Sequence, residues 1–84
     1  MAIKVNTTVD GKSYPEAYVR IARITKVEKD VTCEGVVWVY ANEADRLVNR
    51  PPVHQYRFQA PYSDQPYGAL YAELKKGYPN HINL

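Results

Sequence analysis

Residues 17–42 read AYVRIARITKVEKDVTCEGVVWVYAN, and this stretch decides the fold. Two runs of β-branched and aromatic residues flank the charged segment Glu28-Lys29-Asp30, and such residues favour a pleated, half-buried surface. The stretch therefore predicts a ribbon of two strands, residues 17–28 and 31–41. In the first strand the apolar side chains change faces near Arg23, which predicts a β-bulge or a strong twist at that point.

The second strand of this ribbon is apolar on both faces. Trp38 shares one face with Val36 and Tyr40, and Val37 shares the other with Val39. A strand of this kind is covered on each side. A helix can cover one face, and a partner chain is a candidate for the other.

Two further strands are predicted outside the ribbon. Residues 2–9 are followed by the turn signal Asp10-Gly11, and residues 12–16 are expected to form a linking loop. Residues 53–60 alternate cleanly, which predicts a strand with one buried and one wet face. The buried side of that strand carries His54, Tyr56, Phe58 and Ala60.

One helix is predicted, from about Gln65 to Lys76. Its apolar residues recur at helical spacing and form one stripe, which consists of Tyr67, Leu70, Tyr71 and Leu74. Ser63 or Asp64 is expected to cap its start, and Gly77 is expected to end it in a left-handed conformation. A separate polar segment, residues 42–52, is interpreted as a loop with at most one helical turn after an Asn42 cap.

These elements predict a single α+β domain over residues 1–84. Its architecture is expected to be an antiparallel sheet of three to four strands with one C-terminal α-helix packed on one face. Much of the core is expected to come from Ile21, Trp38, Phe58, Leu70, Tyr71 and Leu74.

The composition argues against several classes of function. The net charge is only +2 with both signs interleaved, which is not typical of an electrostatically driven nucleic-acid binder. Cys33 is the single cysteine, so no disulfide can form within the chain, and no zinc-ligand spacing is present. Neither a glycine-rich phosphate loop nor a convincing nucleophile and base is found. We therefore expect no enzyme activity, no catalytic residue, no metal site and no cofactor.

The distribution of apolar residues in the sequence also predicts where the protein is located. No apolar stretch approaches the ~20 residues that cross a bilayer. The first eight residues, MAIKVNTT, lack the apolar region of a signal peptide. A soluble chain that is not secreted is expected.

Contact with other protein chains is the favoured mode of action. Eight tyrosines stand against one phenylalanine, and tyrosine is enriched at protein interfaces. The segment 78–84, YPNHINL, has no charged side chain, so it is expected to dock on the domain's own sheet or on a neighbouring subunit. The strand 2–9 can likewise pair within the chain or extend a neighbour's sheet. The candidate interface residues are Ile3, Val5, Tyr78, Pro79, His81, Ile82 and Leu84.

The layout of AYVRIARI (17–24), VVWVYAN (36–42), YRFQA (56–60) and YGALYAELKK (67–76) resembles that of small virion structural proteins of tailed bacteriophages. The resemblance implies a non-enzymatic subunit of a capsid, neck, tail or baseplate. Such a subunit is present in many copies, is made in the host cytoplasm and contacts other virion proteins, as a homo-oligomer or a lattice.

A small binding module is the alternative. Tyr56-Arg57-Phe58 alternates aromatic and cationic side chains, and rings on a sheet can stack bases. The lysine- or arginine-glycine-aromatic pattern of RNA-recognition domains is missing, however, and Arg57 points away from its two neighbours in a strand. An inhibitor of a protein partner is a second form of this alternative.

Overall fold

The computed structural model describes residues 2–84 and contains five strands and two helices. Met1, which belongs to the predicted domain, lies outside the described residues. The strands form one sheet in the order β4-β3-β2-β1-β5, and every neighbouring pair is antiparallel. The elements are β1 (Ile3–Val9), β2 (Lys12–Glu28), β3 (Thr32–Tyr40), α1 (Glu43–Leu47), β4 (His54–Pro61), α2 (Pro66–Lys76) and β5 (Ile82–Asn83).

The predicted fold class is wrong in its strand count, its helix count and the position of its helix. The structure is dominated by a five-stranded sheet, and both helices are short. Helix α2 is not the last element, because the chain continues into β5, which pairs with β1. Strand β5 has only two residues and is held by main-chain bonds. The Leu84 N–H, for example, donates to the Ala2 carbonyl oxygen at 3.0 Å. A strand this short has no side-chain period that a sequence pattern could reveal.

The loop predicted at residues 12–16 is also wrong, because β2 starts immediately after the turn. Asp10 and Gly11 have φ values of 50° and 81°, so both central residues of the two-residue hairpin are left-handed, as in a type I′ turn. Pro15, which cannot donate a backbone hydrogen bond, lies at the register shift between the Val5 and Thr7 pairs. The irregularity lets a proline sit inside a long strand.

Strand β2 bends twice along its pairing with β3. The register shifts between Ile21 and Arg23, which confirms the predicted bulge, and it shifts again between Ile24 and Lys26. Pairing with β1, in contrast, stops at Val19. The part of β2 beyond Val19 therefore has a strand neighbour on one side only.

Helix α2 lies over β2, β3 and β4, where Leu70 fits against a glycine. A Cβ atom placed on Gly35 would stand 3.0 Å from Leu70 Cδ1 and 3.0 Å from the Arg23 carbonyl oxygen. The close approach of helix and sheet therefore requires glycine at this position. The buried core comprises Ile3, Val5, Ala17, Val19, Ile21, Cys33, Val37, Val39, Ala60, Leu70, Tyr71 and Leu74.

Trp38 does not belong to this core, so its predicted place there is wrong. Val37 and Val39 point to the α2 side of β3 and are almost fully buried. Because successive side chains of a strand alternate, Trp38 lies on the opposite face and is only half-buried. Phe58, also predicted in the core, packs against it as a partly buried residue.

The ends of α2 differ from the predicted caps. The N-cap position is Gln65, which makes no side-chain capping bond, and Ser63 Oγ instead accepts from the Gln65 N–H at 3.1 Å. Gly77 has φ −77°, so the left-handed C-cap prediction is wrong. The Gly77 N–H donates to the Leu74 carbonyl oxygen at 3.1 Å and closes the last turn without a left-handed residue. Neither helix within residues 2–84 combines the length and apolarity needed to span a membrane.

Replacing Leu70 with alanine is expected to lower the free energy of unfolding by about 3–5 kcal/mol, because a fully buried leucine leaves a cavity between α2 and Gly35. Chemical denaturation measures this loss. Leu47→Ala is the matched control, since Leu47 is 73% exposed against 0% for Leu70. Similar losses for the two variants would contradict the packing described.

The free energy of unfolding is expected to fall as pH rises above about 10, the ordinary pKa of a tyrosine. Burial, with a smaller contribution from its interaction with Tyr78, raises the pKa of Tyr56. The folded state therefore keeps a proton that the unfolded state loses, and stability present below pH 10 is lost above it. Urea melts between pH 8 and 11 measure the slope, and Tyr56→Phe is expected to make it shallower. An unchanged slope would show that Tyr56 is not responsible.

Candidate functional site

The face of the sheet opposite α2 carries the most distinctive side chains of the chain. Cross-strand pairing places Tyr18 beside Tyr40, Arg20 beside Trp38, and Arg23 beside Val36. Antiparallel partners of this kind have neighbouring side chains on one face. We call this surface the open face; it consists of Tyr18, Arg20, Arg23, Val36, Trp38, Tyr40 and Arg57.

Three aromatic rings form a cluster at the centre of the open face. The ring centroids of Tyr18 and Tyr40 are 6.0 Å apart at 63°, and those of Trp38 and Tyr40 are 6.4 Å apart at 69°. These edge-to-face contacts are favourable for aromatic pairs and hold the rings in place. The Trp38 Nε1–H is buried and has no hydrogen-bond partner in residues 2–84, which is a cost to the isolated chain.

Helix α1 brings a cation to this cluster. Asn42 Oδ1 accepts from the Asp45 N–H at 2.8 Å, which confirms the predicted cap and fixes the start of the helix. The Arg46 guanidinium then lies 6.0 Å from the centre of the Tyr40 ring, within the range of a cation–π contact. The Arg46 Nε atom is buried and has no hydrogen-bond partner among the described residues.

A groove of about 380 Å³ opens beside the cluster, along the part of β2 that extends past β1. We call it the β2-edge groove. It is lined by Tyr18, Arg20, Ile21, Ala22, Arg46, Tyr67 and Tyr71.

Tyr71 forms a fixed wall of the β2-edge groove. Its hydroxyl oxygen accepts from the Ile21 N–H at 2.9 Å, at the place where β1 no longer pairs with β2. Burial raises the pKa of Tyr71, although the Ile21 N–H and the nearby Arg20 oppose part of that rise. The side chain is therefore neutral at pH 7, and the cations of the groove face no phenolate.

The open face has more cations than carboxylates, and its carboxylates are engaged. Glu34 lies 3.9 Å from Arg57, and the neighbouring Glu28 lies 3.4 Å from Lys26. No ion pair within residues 2–84 includes the remaining arginines of this region, namely Arg20, Arg23 and Arg46. A ligand or partner that brings negative charge would match them.

The structure places the predicted interface residues in two environments. Ile3 and Val5 are buried in the core, and Tyr78 packs against it. The segment 78–84 lies on the chain's own sheet, where β5 pairs with β1. His81 is half-buried, with its Nδ1 2.7 Å from the Tyr78 carbonyl oxygen. Those that are exposed are Pro79, Ile82 and Leu84.

The Tyr56-Arg57-Phe58 motif is split between the two faces of the sheet. Tyr56 and Phe58 contact the core on the α2 side, whereas Arg57 pairs with Val36 on the open face. The three side chains therefore do not form one surface.

Other chemistry-bearing residues are not grouped into a reactive centre. Cys33 is buried, and the nearest polar partner of its Sγ is the Ser63 carbonyl oxygen at 3.9 Å. Within residues 2–84, no three or more His, Cys, Asp or Glu side chains are placed to hold a metal ion.

Sequence reasoning named a partner chain as a candidate cover for the second face of β3, but it did not list the residues of the open face as interface residues. The only signal was the pair of apolar faces on β3, together with arginines in β2. Comparison with protein-family models, with curated proteins and with solved structures gave no match.

Asn42→Ala is expected to cost about 1 kcal/mol of stability and to loosen α1, because the Asp45 N–H loses its acceptor. Arg46 should then lose its fixed position over Tyr40. Amide hydrogen exchange of residues 43–47 measures the loosening, and Asn42→Asp, which keeps the acceptor, is the control. Unchanged exchange in Asn42→Ala would show that the cap does not hold the helix.

Proposed function

We propose that this chain is a non-enzymatic structural subunit that assembles with other copies of itself through the open face. The observation that carries the proposal is the cluster of Tyr18, Trp38 and Tyr40 beside Arg20 and Arg23, which form no ion pair within residues 2–84. Tryptophan, tyrosine and arginine are the residues that contribute most to binding at protein interfaces. A partner surface on this cluster would remove the exposed parts of Tyr18 and Trp38 from water, whereas Tyr40 is already buried.

The charges favour a head-to-tail contact over a symmetric one. Two open faces in a two-fold contact would bring Arg20 and Arg23 of each copy together, and like charges at an interface are costly. Away from the open face, at the turn between β1 and β2, Asp10 is exposed and takes part in no ion pair within residues 2–84. One copy can therefore supply a carboxylate to the open face of the next copy.

A head-to-tail contact either closes into a ring or continues as a polymer, and both produce a subunit in many copies. The resemblance to small virion structural proteins of tailed bacteriophages supplies the setting that we propose, which is a phage particle. In that setting the chain is made in the host cytoplasm and incorporated into the virion. The exposed Pro79, Ile82 and Leu84 are proposed as a second contact with neighbouring virion proteins.

Sedimentation velocity over a range of protein concentrations tests the assembly. The mass is expected to rise with concentration, and Arg23→Glu is expected to weaken association about tenfold, the effect of about 1.4 kcal/mol. Lys75→Glu, a charge reversal on α2 and away from the open face, is the matched control and should associate as the original chain does.

Mixing variants tests the head-to-tail geometry. Asp10→Asn alone should also weaken association, whereas an equimolar mixture with Arg23→Glu should form heterodimers, because each variant keeps one intact side of the contact. A chain that stays monomeric at every concentration would overturn self-assembly. Association that Arg23→Glu leaves unchanged would overturn the role of the open face.

A nucleic-acid binding module is the second candidate, favoured by the same combination of rings and arginines. Aromatic platforms beside cations bind single strands with little sequence preference. Fluorescence anisotropy of a labelled oligothymidylate would show a steep loss of affinity with added salt if this candidate is right.

A further inference from the structure

We propose that the β2-edge groove binds one oxyanion group, a carboxylate or a phosphate, between Arg20 and Arg46. This site shares Tyr18 and Arg20 with the open face, but it needs no second copy of the chain, so it would operate in an isolated copy. The inference follows from the charge, the rigidity and the unused hydrogen-bond donors of the groove.

The lining of the groove has only one sign of charge. Arg20 and Arg46 supply two guanidinium groups, and no aspartate or glutamate is among the lining residues. The other side chains around them are three tyrosines, an isoleucine and an alanine. Two cations held in one groove repel each other, and a bound anion would relieve that repulsion.

Both arginines are positioned by the fold. Arg20 belongs to β2 and is paired with Trp38 in the sheet, so its backbone cannot shift independently. Arg46 follows the Asn42 cap and lies against the Tyr40 ring. A site whose backbone and one of whose two guanidinium groups are positioned in advance binds at a lower cost of ordering.

The two arginines offer hydrogen-bond donors to a ligand. The Ile21 N–H, the main-chain donor beside the groove, is already bound to the Tyr71 hydroxyl. The Arg46 Nε–H is buried without an acceptor in residues 2–84, and Arg20 forms no ion pair there. A guanidinium presents its N–H groups in a planar fork that matches carboxylate and phosphate oxygens.

A titration followed by nuclear magnetic resonance tests the site in the unmodified chain. Sodium phosphate and sodium acetate are added separately at pH 7, with ionic strength held constant by sodium chloride. The expected result is a saturable shift of the Arg46 and Arg20 Nε–H signals with at least one of the two anions. Saturation by phosphate alone identifies a phosphate site, and saturation by acetate identifies a carboxylate site. Shifts that do not saturate, or that chloride alone reproduces, would overturn the proposal.

Variants locate the binding. Arg20→Gln and Arg46→Gln are each expected to weaken it about tenfold, since each removes a charge-assisted hydrogen bond. Arg57→Gln, on the open face but outside the groove, should change the affinity by less than about twofold. An equal loss in Arg57→Gln would show general charge attraction instead of a site. If Arg46→Gln fails to fold, Arg20→Gln, the Arg57→Gln control and the titration of the unmodified chain still decide the question.

Discussion

The antiparallel pairing of β2 with β3 is the interaction on which the rest of the structure depends. It runs from Tyr18 beside Tyr40 to Glu28 beside Thr32, and it shifts register twice on the way. Side chains on a strand alternate between faces, so each shift changes what the following residues face. This pairing puts Val37 and Val39 under α2, and it brings the rings of the open face together. The register of this one strand pair therefore determines both the core, on one face of the sheet, and the candidate site, on the other.

Part of this arrangement could be predicted from the sequence, because it is encoded in local patterns. The bulge near Arg23 follows from the break in alternation, and the Asn42 cap follows from the residue type. The extent of α2 follows from the spacing of Leu70, Tyr71 and Leu74. In each case a few consecutive residues contain the information, and the structure confirms the result.

The remainder depends on contacts between residues far apart in the chain. The sequence pattern makes both faces of β3 apolar, so it does not show which face α2 covers, and Trp38 lies on the other one. The neighbouring valines fit the α2 side, where Gly35 already sets the close approach of Leu70. Strand β5 forms because the segment after α2 returns to the outer edge of β1, and two residues contain no pattern that shows this. The arginines of the open face and of its surroundings could not be predicted for the same reason, since the Arg20–Trp38 pair follows from the register and the position of Arg46 depends on α1.

The position of the one thiol has a consequence for how the chain responds to its surroundings. Cys33 points from β3 into the buried side of the sheet and is fully shielded from solvent. A thiol must reach the surface to exchange with a disulfide or to react with an oxidant. While the sheet is intact, therefore, two copies cannot become cross-linked through sulfur. An oxidising or a reducing medium therefore leaves this thiol unchanged in the folded chain, and the thiol becomes reactive only when β3 separates from its cover.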